Sequence, residues 1–506
     1  MPPEVAPGLQ LRFASRVGLP NVWRTVFSFP NTLAALLIVV TVLTVRSRFS
    51  DPDMWWHLKM GEIIWTTHTI PQADLFSFTA SGHAWTPQEW LSQLVIYSVY
   101  RLGGYTGLML WFCTTASLIV VAGYVLCATY SSNAKVAFLG GLIIWLFSTV
   151  GLAIRPHMIG YLLLTCELLI LHFGRSRNPR WFLALPPLFA LWVNSHGSFF
   201  FGLIICATVL LSACINIRIG LLVSRRWEKH SRNVLAIAFA LSIAALFCNP
   251  VGWNQVTYPV DVIANQQVQM HSVSEWLPPR FDNVRALALL AVTALILLVP
   301  LLRCVELTIQ ELLMLGFAFG LAIQHERILF VFGIIATPIL CRLLATAWDQ
   351  YEPDKDRPLV NATLCGIALI LLVWSFPRRG QLERQVEANN PVKAVQFITQ
   401  SRLSGRMLNE YVFGGYLIWA APQHKVFVDG RGDVFEWTGV LTDYGKLMTL
   451  QEDPNLVLDK YDISFCILSR EAPMTHVFPL IAGWKVVYSD AQASVFMRTT
   501  IDQGRG

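Results

Sequence analysis

Charge is what this chain has least of. Asp, Glu, Lys and Arg together make up 14% of its 506 residues, while hydrophobic types make up 54%. An average soluble domain is about 25% charged, so a chain that sits wholly in water is excluded. Paired cysteines are lacking too. Of the 10 cysteines, eight fall inside apolar runs, Cys113, Cys127 and Cys341 among them, and Cys304 sits between two runs; Cys466 lies elsewhere, and no CxxC occurs. That spacing excludes a disulfide framework or a cysteine zinc site and leaves small core hydrophobes. There is no internal repeat and no low-complexity segment. The net charge of +6 comes from basic residues at the ends of apolar runs, so no nucleic acid partner is implied. The first apolar run starts near Phe27 with no small-residue cleavage site behind it. It is expected to stay as a span rather than to be removed as a signal peptide.

What the chain has instead is long apolar sequence. Eleven stretches reach spanning length or nearly so: 27–45, 106–129, 135–154, 157–173, 181–195, 198–222, 233–250, 284–302, 306–323, 327–346 and 359–376. The fifth is short and holds Pro186 and Pro187, which predicts a kinked or tilted helix. Lys and Arg are unevenly shared between the two sets of connections. One set, from the arm with Arg12, Arg16 and Arg24 to Arg342, Lys355 and Arg357, carries 15; the other carries seven over a longer total length. The richer set is expected inside. The expectation is a polytopic α-helical membrane protein of about eleven spans, with a cytoplasmic arm 1–26, a membrane module 27–376 and an extracytoplasmic α/β domain 377–506. A bacterial-type inner membrane is the expected location.

That orientation puts every polar cluster on the outer side: "SDPDMWWH" at 50–57, "PQEW" at 87–90, "RPH" at 155–157, "NSHG" at 194–197, "NPVGW" at 249–253, "MHSVSEW" at 270–276 and "QHER" at 324–327. Short segments from distant parts of the chain that meet on one face predict one site. The first outer loop, 46–105, is too long for a plain connection. Its "MGEIIWTTH" and "EWLSQLVIYSVYRL" are amphipathic and predict helices in the headgroup plane. Trp55 and Trp56 read as part of an interfacial belt. Beyond Pro377, "NNPVKAVQFITQSRL" and Val440 to Leu450 predict helices. "HKVFVDGRGDVFEW" predicts a strand ending in a turn. "YDISFCILS", "WKVVYSD" and "ASVFMRT" predict strands, with a short helix in "PMTHVFPLIAG".

Asp51-Pro52-Asp53 is the sharpest motif. An Asp before Pro is an ordinary helix start, and capping alone accounts for Asp51. Asp53 has less excuse. On a helix it shares a face with His57; on an extended segment it points the same way as Asp51. Arg155 and His157 can anchor a span end. His196 joins two spans with almost no loop, where an unsatisfied polar group is costly. His325, Glu326 and Arg327 share that position, and an internal Glu–Arg pair is the plain alternative. Glu275 and His271 fall on a loop that can fold over the site, and Glu89 on a helix start. Asp429 and Asp433 flank a glycine turn and read as turn chemistry; Arg431-Gly432-Asp433 reads as a chance match to an adhesion motif.

Outside an inner membrane there are no nucleotide sugars and no ATP, so group transfer there needs a lipid-carried donor. Cations would meet its phosphate, with Arg155, His157, His196, His325 and Arg327 as candidates. A carboxylate would deprotonate an acceptor or hold a divalent ion, Mg or Mn. Asp53 and Asp51 are the catalytic candidates, with Asp51, Asp53 and His57 as candidate metal ligands. Glu89, His57 and Glu275 are assigned to the acceptor or the covering loop.

"DPDMWWHLKMGEIIWTTHTIPQADLFSFT" and "GRMLNEYVFGGYLIWAAPQHKVFVDGRGDVF" resemble segments of uncharacterised bacterial members of the GT-C superfamily, the polyprenyl-phosphate-dependent membrane glycosyltransferases. The resemblance covers nearly the whole chain as architecture. It implies a polyprenyl-phosphate sugar donor, a lipid, glycan or protein acceptor outside, and membrane lipid as surroundings. It also implies inversion by direct displacement, and a first-loop catalytic acid at Asp51 or Asp53. Asp53 is favoured, since Asp51 has the capping role. No Trp-Trp-Asp-Tyr-Gly occurs, so sequon recognition is not implied. Two other classes stay open, a flippase for lipid-linked glycans and a non-catalytic envelope assembly protein. Against transport, the spans carry almost no charge in their middles, Glu167 excepted.

Overall fold

The structure is a computed structural model and describes residues 19–265 and 274–499. Arg12, Arg16 and His271 lie outside the described residues. The chain is mostly helical, with a small sheet near its end.

The helical part is organised by burial. Leu329–Leu343 is apolar on all sides, and of its 15 residues only Arg342 is not buried. A helix of that kind has to sit inside others. It packs against Ala134–Ser148, Trp90–Ser131, Val284–Arg303 and Ile309–Ala322. Helices at the rim are buried along one stripe only. Val284–Arg303 leaves Leu298, Leu301 and Leu302 exposed, and Pro358–Ser375 leaves Leu369, Ile370, Val373 and Trp374 exposed. So wide an apolar exterior is unfavourable in water and suits a lipid surround. Among the described residues, four helices are long and apolar enough to cross a membrane: Trp90–Ser131, His157–Ser176, Val284–Arg303 and Pro358–Ser375. Several others are apolar but shorter, among them Phe29–Val45, Ala134–Ser148 and Phe199–Cys214.

Several expectations change in detail. The run 198–222 ends early: the helix stops at Cys214, and Ile217–Ile219 with Leu222–Ser224 form a hairpin that adds Leu307–Thr308 as a third strand. The fifth run opens as a 3-10 turn, Pro179–Ala184, before the short helix Leu185–Val193. The second loop helix and the second span are one element, Trp90–Ser131, bent at Gly104. Gly104 has φ 56° and ψ −144°, a conformation closed to other residues. The first loop helix, Met54–Thr67, packs against the front of that long helix and against Tyr411–Ala420. Trp55 and Trp56 are therefore buried, not a belt. Their rings pack on Tyr416 and Trp85 respectively.

The sheet has strand order Arg406–Asn409, Ile463–Ser469, Ala493–Arg498, Trp484–Ser489; the first pair is parallel and the others antiparallel. The segment expected as a strand at 424–431 makes no ladder beyond one bridge, Ser77 to Val426. It lies instead between the sheet and the first loop, and both neighbours satisfy its backbone. Val426 N–H donates to Phe76 O at 3.0 Å, Phe78 N–H donates to Val426 O at 3.1 Å, and Phe427 N–H donates to the Asn409 side chain at 2.7 Å.

Candidate active site

The first loop, the helix ends and the 429–433 segment close round one cavity of about 580 Å³. Its construction begins at Asp51. This carboxylate accepts the Asp53 N–H at 3.0 Å, which shapes the turn before Met54. It is also held by Arg155, with Nε 2.7 Å from Oδ1 and Nη2 2.9 Å from Oδ2. Asp53 stands at the N-cap position without capping. Its Oδ2 meets Arg155 Nη1 at 2.9 Å instead. The same guanidinium lies 3.5 Å from Glu275, which is 4.0 Å from Arg327. Burial raises the Asp53 carboxyl above its usual range; Arg155 opposes this, and Asp51 and Glu275 add to it.

The histidines form the opposite wall. His196 Nδ1 accepts the Ser198 N–H at 3.1 Å, so its proton sits on Nε2, 3.3 Å from Glu89 Oε1. His57 Nδ1 is 3.2 Å from the Gln93 amide and 3.9 Å from Glu89. His157 Nε2–H donates to Gly151 O at 2.7 Å, and His325 Nδ1–H donates to Trp276 O at 2.6 Å. Burial holds His57 and His196 neutral, with neighbouring Arg and His charges adding to it. Glu89 is pushed up to about 8, chiefly by burial, with Asp433 and Asp53 adding and Arg327 opposing. Glu89 and His196 therefore face each other mainly as uncharged groups near pH 7, not as an ion pair. Arg327 is the less committed guanidinium. It rests over the Trp276 ring at 5.2 Å and faces the Tyr161 hydroxyl.

Of the residues singled out from sequence, Asp53, His57, Glu89, Arg155, His157, His196, His325 and Arg327 all line the cavity. Asp51 and Glu275 stand behind Arg155. Two of the assigned groups already have partners in the structure. Arg155, expected to meet a phosphate, is already held by three carboxylates. The metal set Asp51, Asp53 and His57 does not fit an ion: both Asp51 oxygens and Asp53 Oδ2 face Arg155, and His57 Nδ1 faces Gln93. Among the described residues no three His, Cys, Asp or Glu side chains are gathered to hold a metal.

The reading of the sequence missed the wall from the far end of the chain. Asp433 is not turn chemistry. Its Oδ2 accepts from Trp85 Nε1 at 2.9 Å and from the Tyr258 hydroxyl at 3.2 Å. Asp429 and Arg431 are also more than a turn. The Arg431 side chain is fully buried between Asp429 and Asp74, at 2.6 and 2.7 Å, and stacks on Phe76 and Trp85. It is out of reach of any adhesion partner. The available signal was an Arg among three acids directly after the apolar "VFV", where charges are buried only in pairs. Gly430 touches Asp53: a Cβ there would lie 2.8 Å from Asp53 Cγ. Away from these groups the cavity turns apolar, with Phe200, Phe201, Val262, Leu321, Ile328 and Val331.

No family model matches the chain, and no curated protein matches it. Solved structures do. The Archaeoglobus fulgidus oligosaccharyltransferase tethered to an acceptor peptide with the NVT sequon matches with TM-score 0.51 and 12% identity, over 86% of this chain and 69% of that one. AglB from Archaeoglobus fulgidus, in complex with an inhibitory peptide and a dolichol-phosphate, gives the same figures. ArnT from Cupriavidus metallidurans bound to undecaprenyl phosphate aligns over 93% of this chain and 98% of that one at 11% identity, with TM-score 0.46, and carries no weight. The archaeal matches show the fold: this chain is similar to a GT-C glycosyltransferase in architecture, as the sequence resemblance implies.

Proposed function

We propose that the protein is a membrane glycosyltransferase that moves a sugar from a polyprenyl phosphate to an acceptor outside the cytoplasm. Eleven spans are assumed, with the cavity at the outer interface and the first residues inside. The observation that carries the reading is a cavity with two chemistries. One end is apolar and fits a prenyl chain, and the other holds Asp53, Arg327 and the histidines. The dolichol-phosphate complex of the archaeal protein of the same fold agrees with that use.

In this reading the donor phosphate lies against Arg327, with His325, His157 and His196 around it. An acceptor hydroxyl attacks the anomeric carbon. Its proton passes to Asp53 Oδ1, the new C–O bond forms, and the bond to the phosphate oxygen breaks. The electron pair leaves on the polyprenyl phosphate, where Arg327 stabilises it. Direct displacement inverts the anomeric centre. Arg155 keeps Asp51 and Asp53 in place, and Asp433, with Glu89, faces the acceptor.

The test uses purified protein in nanodiscs with a panel of polyprenyl-phosphate sugars. Mass spectrometry follows free polyprenyl phosphate. Release is expected from wild type and not from Asp53→Asn, with both proteins folded. Wild-type turnover in Asp53→Asn removes Asp53 from the chemistry, and no release from any donor overturns the class.

A further inference from the structure

Two carboxylates two residues apart, with a third nearby, are a usual seat for a divalent ion. Here another cation holds that seat. We propose that Arg155 is the resident cation of the Asp51–Asp53–Glu275 cluster and that the cluster takes no divalent metal.

Three observations support this. The first is saturation. Each nitrogen of Arg155 lies beside a carboxylate: Nε and Nη2 bond Asp51 Oδ1 at 2.7 Å and Oδ2 at 2.9 Å, Nη1 is 2.9 Å from Asp53 Oδ2, and Nη2 is 3.5 Å from Glu275 Oε1. A planar fork matches two carboxylates edge-on in a way a spherical ion does not. The second is confinement. The Arg155 side chain is 15% exposed, and Arg327 lies across Glu275. An entering ion would force a buried guanidinium away from its partners with a second guanidinium beside it, a costly exchange. The third is the remaining donor set. Asp53 Oδ1 is the carboxylate oxygen turned away from Arg155, and it lies against Gly430. His57 offers Nδ1 to Gln93. One oxygen does not make a site for an ion that needs four to eight ligands.

There is a chemical consequence. Burial, with the charges of Asp51 and Glu275 adding to it and Arg155 opposing, raises the proton affinity of Asp53, as a base requires. A divalent ion on the same oxygens would lower it. Arg155 locates the carboxylates without removing that affinity, so it is a positioning residue.

The proposal is tested without any donor, so its failure is separate from failure of the transferase reading. Full-length protein in nanodiscs is titrated with Mn2+, reading bound Mn2+ by electron paramagnetic resonance and thermal stability in parallel. Wild type is expected to bind no Mn2+ at the cluster and to show no shift in Tm. Arg155→Gln leaves three carboxylates uncompensated. It is expected to melt lower and to regain roughly 3–5 °C with Mn2+, and the gain is lost in Arg155→Gln/Asp53→Asn. If Arg155→Gln does not fold, Arg155→Lys is used, since an ammonium does not span both carboxylates. A stoichiometric Mn2+ site in wild type that Asp53→Asn removes overturns the proposal. So does an Arg155 variant that Mn2+ leaves unchanged.

Discussion

Gly430→Ala isolates the contact between the two ends of the chain. The added Cβ would overlap Asp53 Oδ1 and stand 2.8 Å from its Cγ, against an ordinary carbon contact of about 3.5–4.0 Å. Something must move by at least about 1 Å. The glycine has no positive φ, so alanine meets no backbone penalty there. The 429–433 segment yields poorly, because Arg431, held by Asp429, ties it to Asp74. Asp53 yields instead, and its 2.9 Å contact with Arg155 opens. A displacement of about 1 Å at a reacting group costs on the order of 100-fold in rate. The expected result is a turnover about 100-fold below wild type, with donor affinity and Tm nearly unchanged. Gly445→Ala is the control, since its Cβ meets nothing within 4 Å; it should be neutral or slightly stabilising. The assay is polyprenyl phosphate release, with Tm by intrinsic fluorescence. Full turnover in Gly430→Ala would refute the idea that this contact sets the position of Asp53.

Other perturbations separate the roles of the remaining groups. Arg327→Ala should weaken donor binding more than it slows turnover of bound donor, and unchanged donor affinity removes Arg327 from the phosphate end. Glu89 titrates near 8 in the folded protein, against 4.5 ordinarily. Below pH 4.5 both states hold its proton; between 4.5 and 8 the unfolded chain loses it first, so Glu89 lowers stability progressively as pH rises. Glu89→Gln should flatten that fall in Tm, and a parallel wild-type and variant profile would count against the shift. Arg431→Met leaves Asp74 and Asp429 buried and unpaired, at a cost of about 3–5 kcal/mol. Chemical denaturation should show it, and Asp74→Asn in the same chain should recover part.

The bundle was legible because lipid demands long apolar runs, and those survive in any sequence window. The site residues were legible for a related reason. A polar group at a helix end between apolar runs stands out, so the chain alone marks His196, Arg155 and Arg327. Partner choice was not legible. Arg155 resembles a phosphate ligand until Asp51, Asp53 and Glu275 are seen around it. Trp55 and Trp56 look interfacial until Tyr411–Ala420 is packed over their helix. The 424–431 strand failed because its β-branched residues fit a sheet, while its pairing partners were the first loop and the Asn409 side chain. Asp433 and Tyr258 carry no local signal. Only a contact between distant segments gives them a place.

The Trp85–Asp433 hydrogen bond joins residues 348 positions apart, and Asp74–Arg431 joins the same two regions. During synthesis the first loop leaves the ribosome long before its partner wall exists. Until the 429–433 segment arrives, Asp53 lacks the contact at Gly430 and the cavity has no roof. On the transferase reading, a half-made chain is thus expected to be inert toward activated lipid sugars, and a chain truncated before Asp429 to stay so. Competence arrives in one step, late, when the last part of the protein docks onto the first.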